Sequence, residues 1–330
     1  MNEEIYVSVD TGKSITKYTW MMRSKNHQNH GFDSFKTNVL ETCNCDIAES
    51  GRLVKFEGHD YMVGGNEEYF LDNDNMKLSK KHGLCIYTAI AESLMNLNID
   101  LDQIYLIDLS INVPLTDFKN KEVKQKYENK YLSKYITLRM NGQFINFKIN
   151  KVRCVYEGQG AIIRNTHTTK GYYYVLDIGG KNDTHILFEN FKPVMNKNSM
   201  TNNGVLECLQ SVASDLSTTH QFEIKDVERI LLKLLEEFKK ENKGEGNKFH
   251  YPPIPTFKEI FEKHARDLVK RIRNQVQKFK LNPHFVTLIF SGGGSVILED
   301  FLKDEFNEFE FIFAADARFD NCKGALEKVI

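Results

Sequence analysis

Alternating apolar and polar residues mark the first structural element of the chain. The alternation runs over 5–10 and predicts a β-strand with one buried face. A turn containing Gly12 and Ser14 follows, and a second run at 15–22 predicts the return strand of a hairpin. The hairpin therefore carries Asp10 at its tip, beside a glycine. Taken alone, this pattern leaves phosphate binding open, but an ordinary hairpin whose turn contains Asp and Gly is the commoner explanation.

A second hairpin of the same kind is predicted half a chain length later. Its first strand is the apolar run at 172–176, and its return strand is the run at 184–188. The turn between them contains Asp177, Gly179 and Gly180. Two such hairpins separated by half of the chain predict a duplicated α/β domain. If they faced each other, they could hold a triphosphate that neither could hold alone.

The remaining periodicities predict further helices and strands. Apolar residues recur at helical spacing over 84–97 and over 256–280, where Thr256 is predicted to cap the helix. The charged segment at 116–134 predicts one solvated helix, and the polar segment at 192–203 predicts a loop. Additional strands are predicted at 52–56, 61–63, 104–113, 136–140, 144–149, 152–156, 285–290 and 309–313, and additional helices at 204–214, 224–242, 296–303 and 322–329.

Two further junctions carry candidate chemistry. Glu157 follows a strand directly, where a carboxylate either interacts with the dipole of the next helix or orients a water for attack on a phosphate. The sequence leaves both interpretations open. Three consecutive glycines, 292–294, lie between Ser291 and Ser295, after another strand. Because such a run is entropically costly for an ordinary turn, it favours a ligand site with close backbone approach.

Composition narrows the class of protein. The 330 residues are 41% hydrophobic and 27% charged, which is typical of a globular chain with room for two domains. The net charge of −1 supplies no positive field for nucleic acid, so we expect no direct binding to DNA. The absence of a long apolar run predicts no membrane association and a cytoplasmic location, and the six scattered cysteines are expected to be reduced.

Four potential zinc ligands occur in a polar segment near the first hairpin. They are His27, His30, Cys43 and Cys45, and all are chemically competent to bind the metal. Surface histidines beside a reduced cysteine pair are the commoner explanation of such a set. The sequence leaves a zinc site open as the less favoured alternative.

Four motifs, taken in order, resemble those of the actin, sugar-kinase and heat-shock-chaperone ATPase superfamily. They are VDTGKSITK at 9–17, VYEGQG at 155–160, VLDIGG at 175–180 and LIFSGGGS at 288–295. Within the superfamily, the chain is similar to the bacterial actin-like plasmid-segregation proteins of the ParM type. The LDIGG turn and the tail ADARFDNCKGAL at 315–326 carry this closer similarity.

The resemblance implies a fold and a division into domains. The expected fold is α/β, an actin-like duplicated domain of two ribonuclease-H-like halves with a nucleotide cleft between them. Domain I would span 1–168, with an inserted subdomain at about 25–80. Domain II would span 169–330, with an inserted subdomain at about 205–265, and the C-terminal helix at about 322–330 is expected to pack back on domain I.

The resemblance also implies a function. The expected activity is that of an ATPase that polymerises with ATP, or GTP, and Mg, and that depolymerises after hydrolysis. The filament would segregate plasmid DNA through an adaptor protein bound to a centromere, so the expected partners are further copies of the chain and this adaptor. A small-molecule kinase of the same fold, acting on a sugar or an acid, is the alternative.

Individual residues acquire roles through the resemblance. Asp10 and Asp177 would hold Mg through water, and Glu157 and Asp177 would be catalytic, with Glu157 positioning the attacking water. The residues expected around the phosphates are Asp10, Gly12, Lys13, Ser14, Lys17, Gly179, Gly180, Lys181 and Asp183. Those expected at the nucleoside are Gly292, Gly293, Gly294 and Ser295.

Three positions depart from the family pattern. Lys181 stands where a threonine usually follows the second glycine, and it could approach the phosphates or point to solvent. Asp183 is a candidate for the further aspartate that the family places shortly after this turn. Tyr156 replaces the proline that commonly precedes the glutamate, which leaves the alignment of Glu157 less secure.

Overall fold

The computed structural model describes residues 4–25, 28–42, 51–65, 77–168, 170–220, 256–314 and 316–328. The chain divides into two compact units. The first unit combines Met1–Arg164 with Phe319–Ile330, and the second is Asn165–Arg318. In the described part of the chain, no helix is both long and apolar enough to cross a bilayer.

The first unit is organised around a nine-stranded mixed sheet. Its strands are β1 (Glu4–Thr11), β2 (Ile15–Arg23), β3 (Gln28–Lys36), β4 (Val39–Thr42), β5 (Arg52–Phe56), β6 (His59–Val63), β7 (Ile104–Val113), β8 (Tyr135–Met140) and β9 (Gln143–Tyr156). They lie in the order β3-β2-β1-β7-β9-β8-β5-β6-β4. β7 runs parallel to both of its neighbours, β1 and β9, so that these three strands end at the same edge of the sheet.

Four helices accompany these strands within the described residues 4–165. They are α1 (Lys80–Asn96), α2 (Leu115–Lys119), α3 (Lys121–Tyr131) and α4 (Gln159–Asn165). The fully buried Ile90 and Leu94 of α1 belong to the same core cluster as Val7, Leu109 and Phe147 of the sheet. Alternate residues of the strands thus fill the core. Apolar residues therefore recur with a period of two in the sequence, and this period predicted the strands.

The second unit has a five-stranded mixed sheet. Its strands are β10 (Tyr172–Ile178), β11 (Asp183–Glu189), β12 (Lys192–Thr201), β13 (Val286–Ser291) and β14 (Glu310–Phe313). They lie in the order β12-β11-β10-β13-β14. Its helices are α5 (Val205–His220), α6 (Phe257–Gln277), α7 (Gly293–Ile297) and α8 (Glu299–Glu305). Leu176 and Phe290 of the sheet share a core cluster with Val212 of α5 and with Leu268 and Ile272 of α6. β13 runs parallel to β10, so both strands end at one edge.

Two predicted strand boundaries were wrong. The segment 192–203, expected to be a loop, contains β12, which pairs with β11 at the edge of the sheet. None of its residues is fully buried, so the strand needs no apolar face. Backbone hydrogen bonds to β11 are enough to hold this polar sequence in the sheet. The strands predicted at 144–149 and 152–156 are one strand, β9, whose register shifts against β7 between Ile107 and Asp108.

Three helix predictions also needed correction. The segment 116–134 forms two helices, because Asn120 leaves the helical conformation and its side chain accepts hydrogen bonds from the backbone of the next helix. Thr256 has a φ of 61° and makes no side-chain capping bond, so α6 begins without the expected cap. The helix expected at 296–303 is divided between α7 and α8 at Leu298. The helix predicted at 224–242 lies outside the described residues.

A last helix, α9 (Asp320–Glu327), returns to the first unit and contacts β1, β2 and β7. Its Gly324 lies against Gly160 of α4, where an added Cβ on Gly324 would come within 2.3 Å of the carbonyl oxygen of Gly160. The side chain of Asn321 accepts a hydrogen bond of 2.9 Å from the backbone N–H of Gly158. Backbone contact between α4 and α9 therefore fixes the segment that follows Glu157.

Gly324→Ala should lower the stability of the chain by about 3 kcal/mol, because the new methyl group meets backbone atoms that cannot rotate away. Gly83→Ala in α1 is the matched control. Its Cβ would meet only side-chain atoms, at 3.7 Å or more, and alanine is the better helix former. Thermal unfolding of both variants measures the difference, and equal midpoints would contradict the packing described for α4 and α9.

Candidate functional site

The first unit gathers three charged side chains at the edge where β1, β7 and β9 end. Asp10 lies near the end of β1, and Glu157 follows β9 directly, with its backbone N–H donating 3.0 Å to the carbonyl of Val113 on β7. The third group, Lys77, was missed by the sequence predictions. Its Nζ lies 2.8 Å from Glu157 Oε1 and 3.4 Å from Asp10 Oδ1, and it donates 3.0 Å to the carbonyl oxygen of Asn112.

These charges are largely withdrawn from water. The exposed fractions of the side chains are 10% for Lys77, 8% for Asp10 and 18% for Glu157. Burial by itself lowers the pKa of Lys77, but the adjacent carboxylates of Glu157 and Asp10 raise it to about 12. Lys77 is therefore a permanent cation at neutral pH, and it neutralises one of the two carboxylate charges.

The backbone that carries Lys77 is fixed from two directions. Nζ of Lys130, on α3, donates hydrogen bonds to the carbonyl oxygens of Leu78 and Ser79. The side chain of Ser79 caps α1 by accepting 3.3 Å from the N–H of His82. Lys77 thus reaches the strand ends from a segment that is anchored to α1 and α3.

The β1–β2 hairpin supplies the other predicted residues of this unit. Lys17 stands opposite Asp10 in the strand register, and Lys13 and Ser14 lie in the turn, all half-buried. The N–H of Gly12 donates 3.1 Å to the carbonyl of Ile15, which closes the turn tightly. The Oγ of Ser14 is buried and has no hydrogen-bond partner among the described residues. Such a group is satisfied by a water or by a ligand oxygen.

The second unit brings Asp177 together with the glycine run. Asp177 pairs with Ser291 in the parallel register of β10 and β13, and Gly292 follows with a φ of 83°. A Cβ on Gly292 would lie 2.3 Å from Asp177 Oδ1, and one on Gly294 would lie 2.5 Å from the side chain of Ile178. Glycines are therefore required here for close packing beneath the half-buried carboxylate.

Ser295 and Gly293 complete this part of the site. The hydroxyl of Ser295 is fully buried and donates 2.7 Å to the carbonyl oxygen of Gly292, so it stabilises the turn itself. Gly293 is partly exposed, and an added Cβ would meet the side chain of Arg318 at 3.5 Å. Ser295 is one of the four residues predicted at the nucleoside, and its hydroxyl group is thus already used in a hydrogen bond within the protein.

The turn after Asp177 packs against the start of α5. The carbonyl oxygens of Gly179 and Gly180 accept hydrogen bonds of 3.1 and 2.8 Å from the first two N–H groups of α5, those of Val205 and Leu206. Lys181 lies on the exposed side of the turn. The two partly exposed glycines therefore contact α5 through their carbonyls, while the N–H of Gly179 donates 2.8 Å to the carbonyl of Asn182 within the turn.

Asp183, predicted to contact phosphate, lies in a buried network instead. Its Oδ2 is 2.9 Å from Nε2 of His185, and its Oδ1 accepts from the backbone and the hydroxyl of Thr201. Nδ1 of His185 is 3.0 Å from the hydroxyl of Tyr174. Although burial raises the pKa of Asp183, these hydrogen bonds lower it below its usual value. Because protein donors surround this carboxylate, we do not assign it to the phosphate site.

The zinc hypothesis receives no support from the described residues. His30 is exposed on β3, whereas His27, Cys43 and Cys45 lie outside the part of the chain that the structure describes. Within that part, no group of three or more histidine, cysteine, aspartate or glutamate side chains is arranged to hold a metal ion. The four described cysteines, Cys85, Cys154, Cys208 and Cys322, are buried free thiols.

Comparison with protein families identifies two matches that are consecutive along the chain. Residues 8–160 match the N-terminal domain of actin-like proteins, and residues 173–311 match the Alp7A C-terminal domain. Comparison with the sequences of curated proteins gives no significant match.

Solved structures with a similar fold include several actin homologues. ParM from Bacillus thuringiensis with ATP gives a TM-score of 0.71 at 13% identity, with 98% of both chains covered. Actin-like protein Alp7A gives 0.69 at 18% identity, covering 100% of this chain and 97% of that one. The Alp12 filament structure gives 0.68 at 17% identity, with 98% of both chains covered. At these identities the similarity shows the fold, and it confirms the predicted α/β, actin-like duplicated domain.

The family models and the fold agree with the motifs identified in the sequence. The two models together span most of the chain, from Ser8 to Phe311. The chain belongs to the bacterial actin-like proteins of the plasmid-segregation type.

Proposed function

We propose that the chain is an ATPase that assembles into filaments with Mg-ATP, or with GTP, and disassembles after hydrolysis. The observation that carries the proposal is the position of Glu157, at the end of a parallel strand, beside Asp10 and 2.8 Å from the ammonium of Lys77. A carboxylate held in this way can orient a water molecule toward a phosphorus atom. Solved structures of the same fold include ParM with ATP and a filament of Alp12, which supports both halves of the proposal.

The donor groups at the strand ends fit a magnesium nucleotide. Asp10 and Asp177 provide carboxylate oxygens, which are the ligands that Mg²⁺ prefers, directly or through water. The ion would neutralise phosphate charge. The Oγ of Ser14, which has no partner among the described residues, can donate to a phosphate oxygen. Gly12 leaves room for the phosphate beside the turn, and Lys13 and Lys17 add positive charge there. In the second unit, the N–H of Gly179 already donates to the carbonyl of Asn182, so in this proposal Gly179 leaves room for a phosphate, while the backbone N–H of Gly180 and the charge of Lys181 interact with it.

Hydrolysis would proceed by displacement at the terminal phosphorus. The water oxygen forms a bond to this phosphorus, and the bond to the bridging oxygen of the diphosphate breaks. Glu157 orients the water, whose proton passes to the carboxylate or to a phosphate oxygen. In the proposed site, the flat nucleoside would lie against the glycine run, where Gly293 is partly exposed and carries no side chain. Gly292 and Gly294 pack on Asp177 and Ile178 and shape the turn from beneath.

The filament is proposed to act on plasmid DNA indirectly. Because the chain carries a net charge of only −1, it supplies no general attraction for a phosphate backbone. An adaptor protein bound to the centromere would connect the filament to the plasmid, in the cytoplasm. Further copies of the chain are the other partner.

Glu157→Gln tests the catalytic assignment. The amide keeps the size of the side chain and loses its ability to accept a proton, so assembly with Mg-ATP should persist while phosphate release slows by about 100-fold or more. Sedimentation and phosphate release measured on the same samples give both quantities. Wild-type turnover in this variant would refute the role of Glu157. A wild-type chain that never sediments, and that transfers phosphate to a metabolite, would indicate the kinase instead.

Asp177→Asn tests the proposed magnesium site. Removing one carboxylate charge should abolish the gain in nucleotide affinity that Mg²⁺ provides, and with it assembly, because the ion loses one of its two proposed anchors. Titration of a fluorescent ATP analogue, with Mg²⁺ and with a chelator, measures that gain. Binding in the chelator serves as the internal control and should match the wild type. An unchanged magnesium effect would exclude Asp177 as an anchor.

A further inference from the structure

The ammonium of Lys77 makes three contacts of unequal length. It lies 2.8 Å from Glu157 Oε1 and 3.0 Å from the carbonyl oxygen of Asn112, but 3.4 Å from Asp10 Oδ1. The first two distances are those of good charge-assisted hydrogen bonds, whereas the third is at the long end of the range. The contact with Asp10 is therefore the one that can be exchanged at least cost.

The charges around Lys77 do not balance. One ammonium lies between two carboxylates, in a place where all three side chains are at least four-fifths buried. If a cation in solution compensated Asp10, the ammonium would be free to donate its third hydrogen bond to another anion. The sequence motifs did not identify Lys77, because it lies outside all of them.

The position of this ammonium is fixed independently of any ligand. Lys130 donates 2.9 Å to the carbonyl oxygen of Ser79, two residues after Lys77, and Ser79 caps α1. Glu157 is held in turn through its N–H, which donates to Val113, and through the contact of Gly158 with Asn321. The two charged groups that lie closest together are therefore both anchored to the rigid core of the unit.

We propose that Lys77 is the group that distinguishes a nucleoside triphosphate from a diphosphate. Its ammonium exchanges the long contact with Asp10 for an oxygen of the terminal phosphate, and it keeps its bonds to Glu157 and to the carbonyl of Asn112. The inference rests on the proposed function, because it assigns a ligand to the same site. It goes further in naming the phosphate that is recognised and the residue that recognises it.

This exchange links recognition to hydrolysis. When the terminal phosphate is present, the same ammonium contacts the phosphate and the carboxylate that orients the water. When the terminal phosphate has left, the ammonium returns to Asp10, and the link is broken. Lys77 thus acts as a positioning residue for Glu157 and gives the site two arrangements, one for each state of the nucleotide.

Lys77→Met tests the proposal through binding rather than turnover. The affinity for a non-hydrolysable ATP analogue with Mg²⁺ should fall by about 10–100-fold, the loss expected for one charge-assisted hydrogen bond, while the affinity for Mg-ADP changes by less than about threefold. Lys77→Arg keeps the charge and should restore most of the preference for the triphosphate. Competition binding of both nucleotides to each variant gives the ratio of affinities.

A double variant separates recognition from folding. Lys77→Met alone leaves two buried carboxylates without a cation and should lower the thermal midpoint. Lys77→Met combined with Glu157→Gln removes one carboxylate charge together with the ammonium, so the midpoint should recover. If Lys77 recognises the phosphate, the double variant remains unable to distinguish the two nucleotides. A purely structural ion pair would instead regain the wild-type ratio of affinities together with stability.

The outcomes for the two proposals are distinguishable. If the wild-type chain binds neither nucleotide, the proposed function fails, and this inference fails with it. If the wild type prefers the triphosphate and Lys77→Met prefers it equally, only the inference is overturned. Loss of the preference in Lys77→Met and in the double variant, with recovery in Lys77→Arg, supports it.

Discussion

Two carboxylates, Asp10 and Glu157, can lie together at one edge of a sheet because the ammonium of Lys77 lies between them. A single buried carboxylate is costly, and two without a cation would be more so. The ion pairs join three segments that are distant in the sequence: the end of β1, the segment before α1 and the end of β9. The parallel alignment of β1, β7 and β9 brings the strand ends together. The ammonium of Lys77 reduces the electrostatic cost of placing two carboxylates there.

The second unit reaches a comparable result by another physical route. The carboxylate at the end of β10, Asp177, lies against Gly292, where backbone takes the place of a side chain. Two hydrogen bonds to the start of α5 hold the neighbouring turn at Gly179 and Gly180. The first unit thus holds its charged groups together by ion pairing with Lys77, and the second places its carboxylate by the absence of Cβ atoms. Both arrangements leave carboxylate oxygen atoms near strand ends, where the proposed phosphate site would lie.

The features that the sequence allowed us to predict have local causes. β1 and β10 are apolar runs followed by turn residues, so the positions of Asp10 and Asp177 at strand ends follow from pattern alone. The same holds for Glu157 after β9. Lys77 has no such signal, since it lies in a polar segment, and its partners are 67 and 80 positions away in the sequence. Only the folded sheet brings these groups together.

The errors have equally physical origins. Asp183 was placed near phosphate by its spacing from the glycine turn, but β11 directs it into the interior, where His185 and Thr201 satisfy it. β12 was taken for a loop because pairing with β11, and not an apolar face, stabilises it. Thr256 has the residue type of a helix cap, but its left-handed backbone conformation does not make the capping bond. For Asp183 and β12 a tertiary contact decides the outcome, and a local pattern cannot report it.

The most direct test of this account is a crystal structure with Mg²⁺ and a non-hydrolysable ATP analogue. We expect Nζ of Lys77 within hydrogen-bond distance of a terminal phosphate oxygen and still bonded to Glu157, with Asp10 and Asp177 directed at the magnesium shell. A bound analogue whose terminal phosphate lies away from Lys77, with the ammonium still on Asp10, would contradict the central claim.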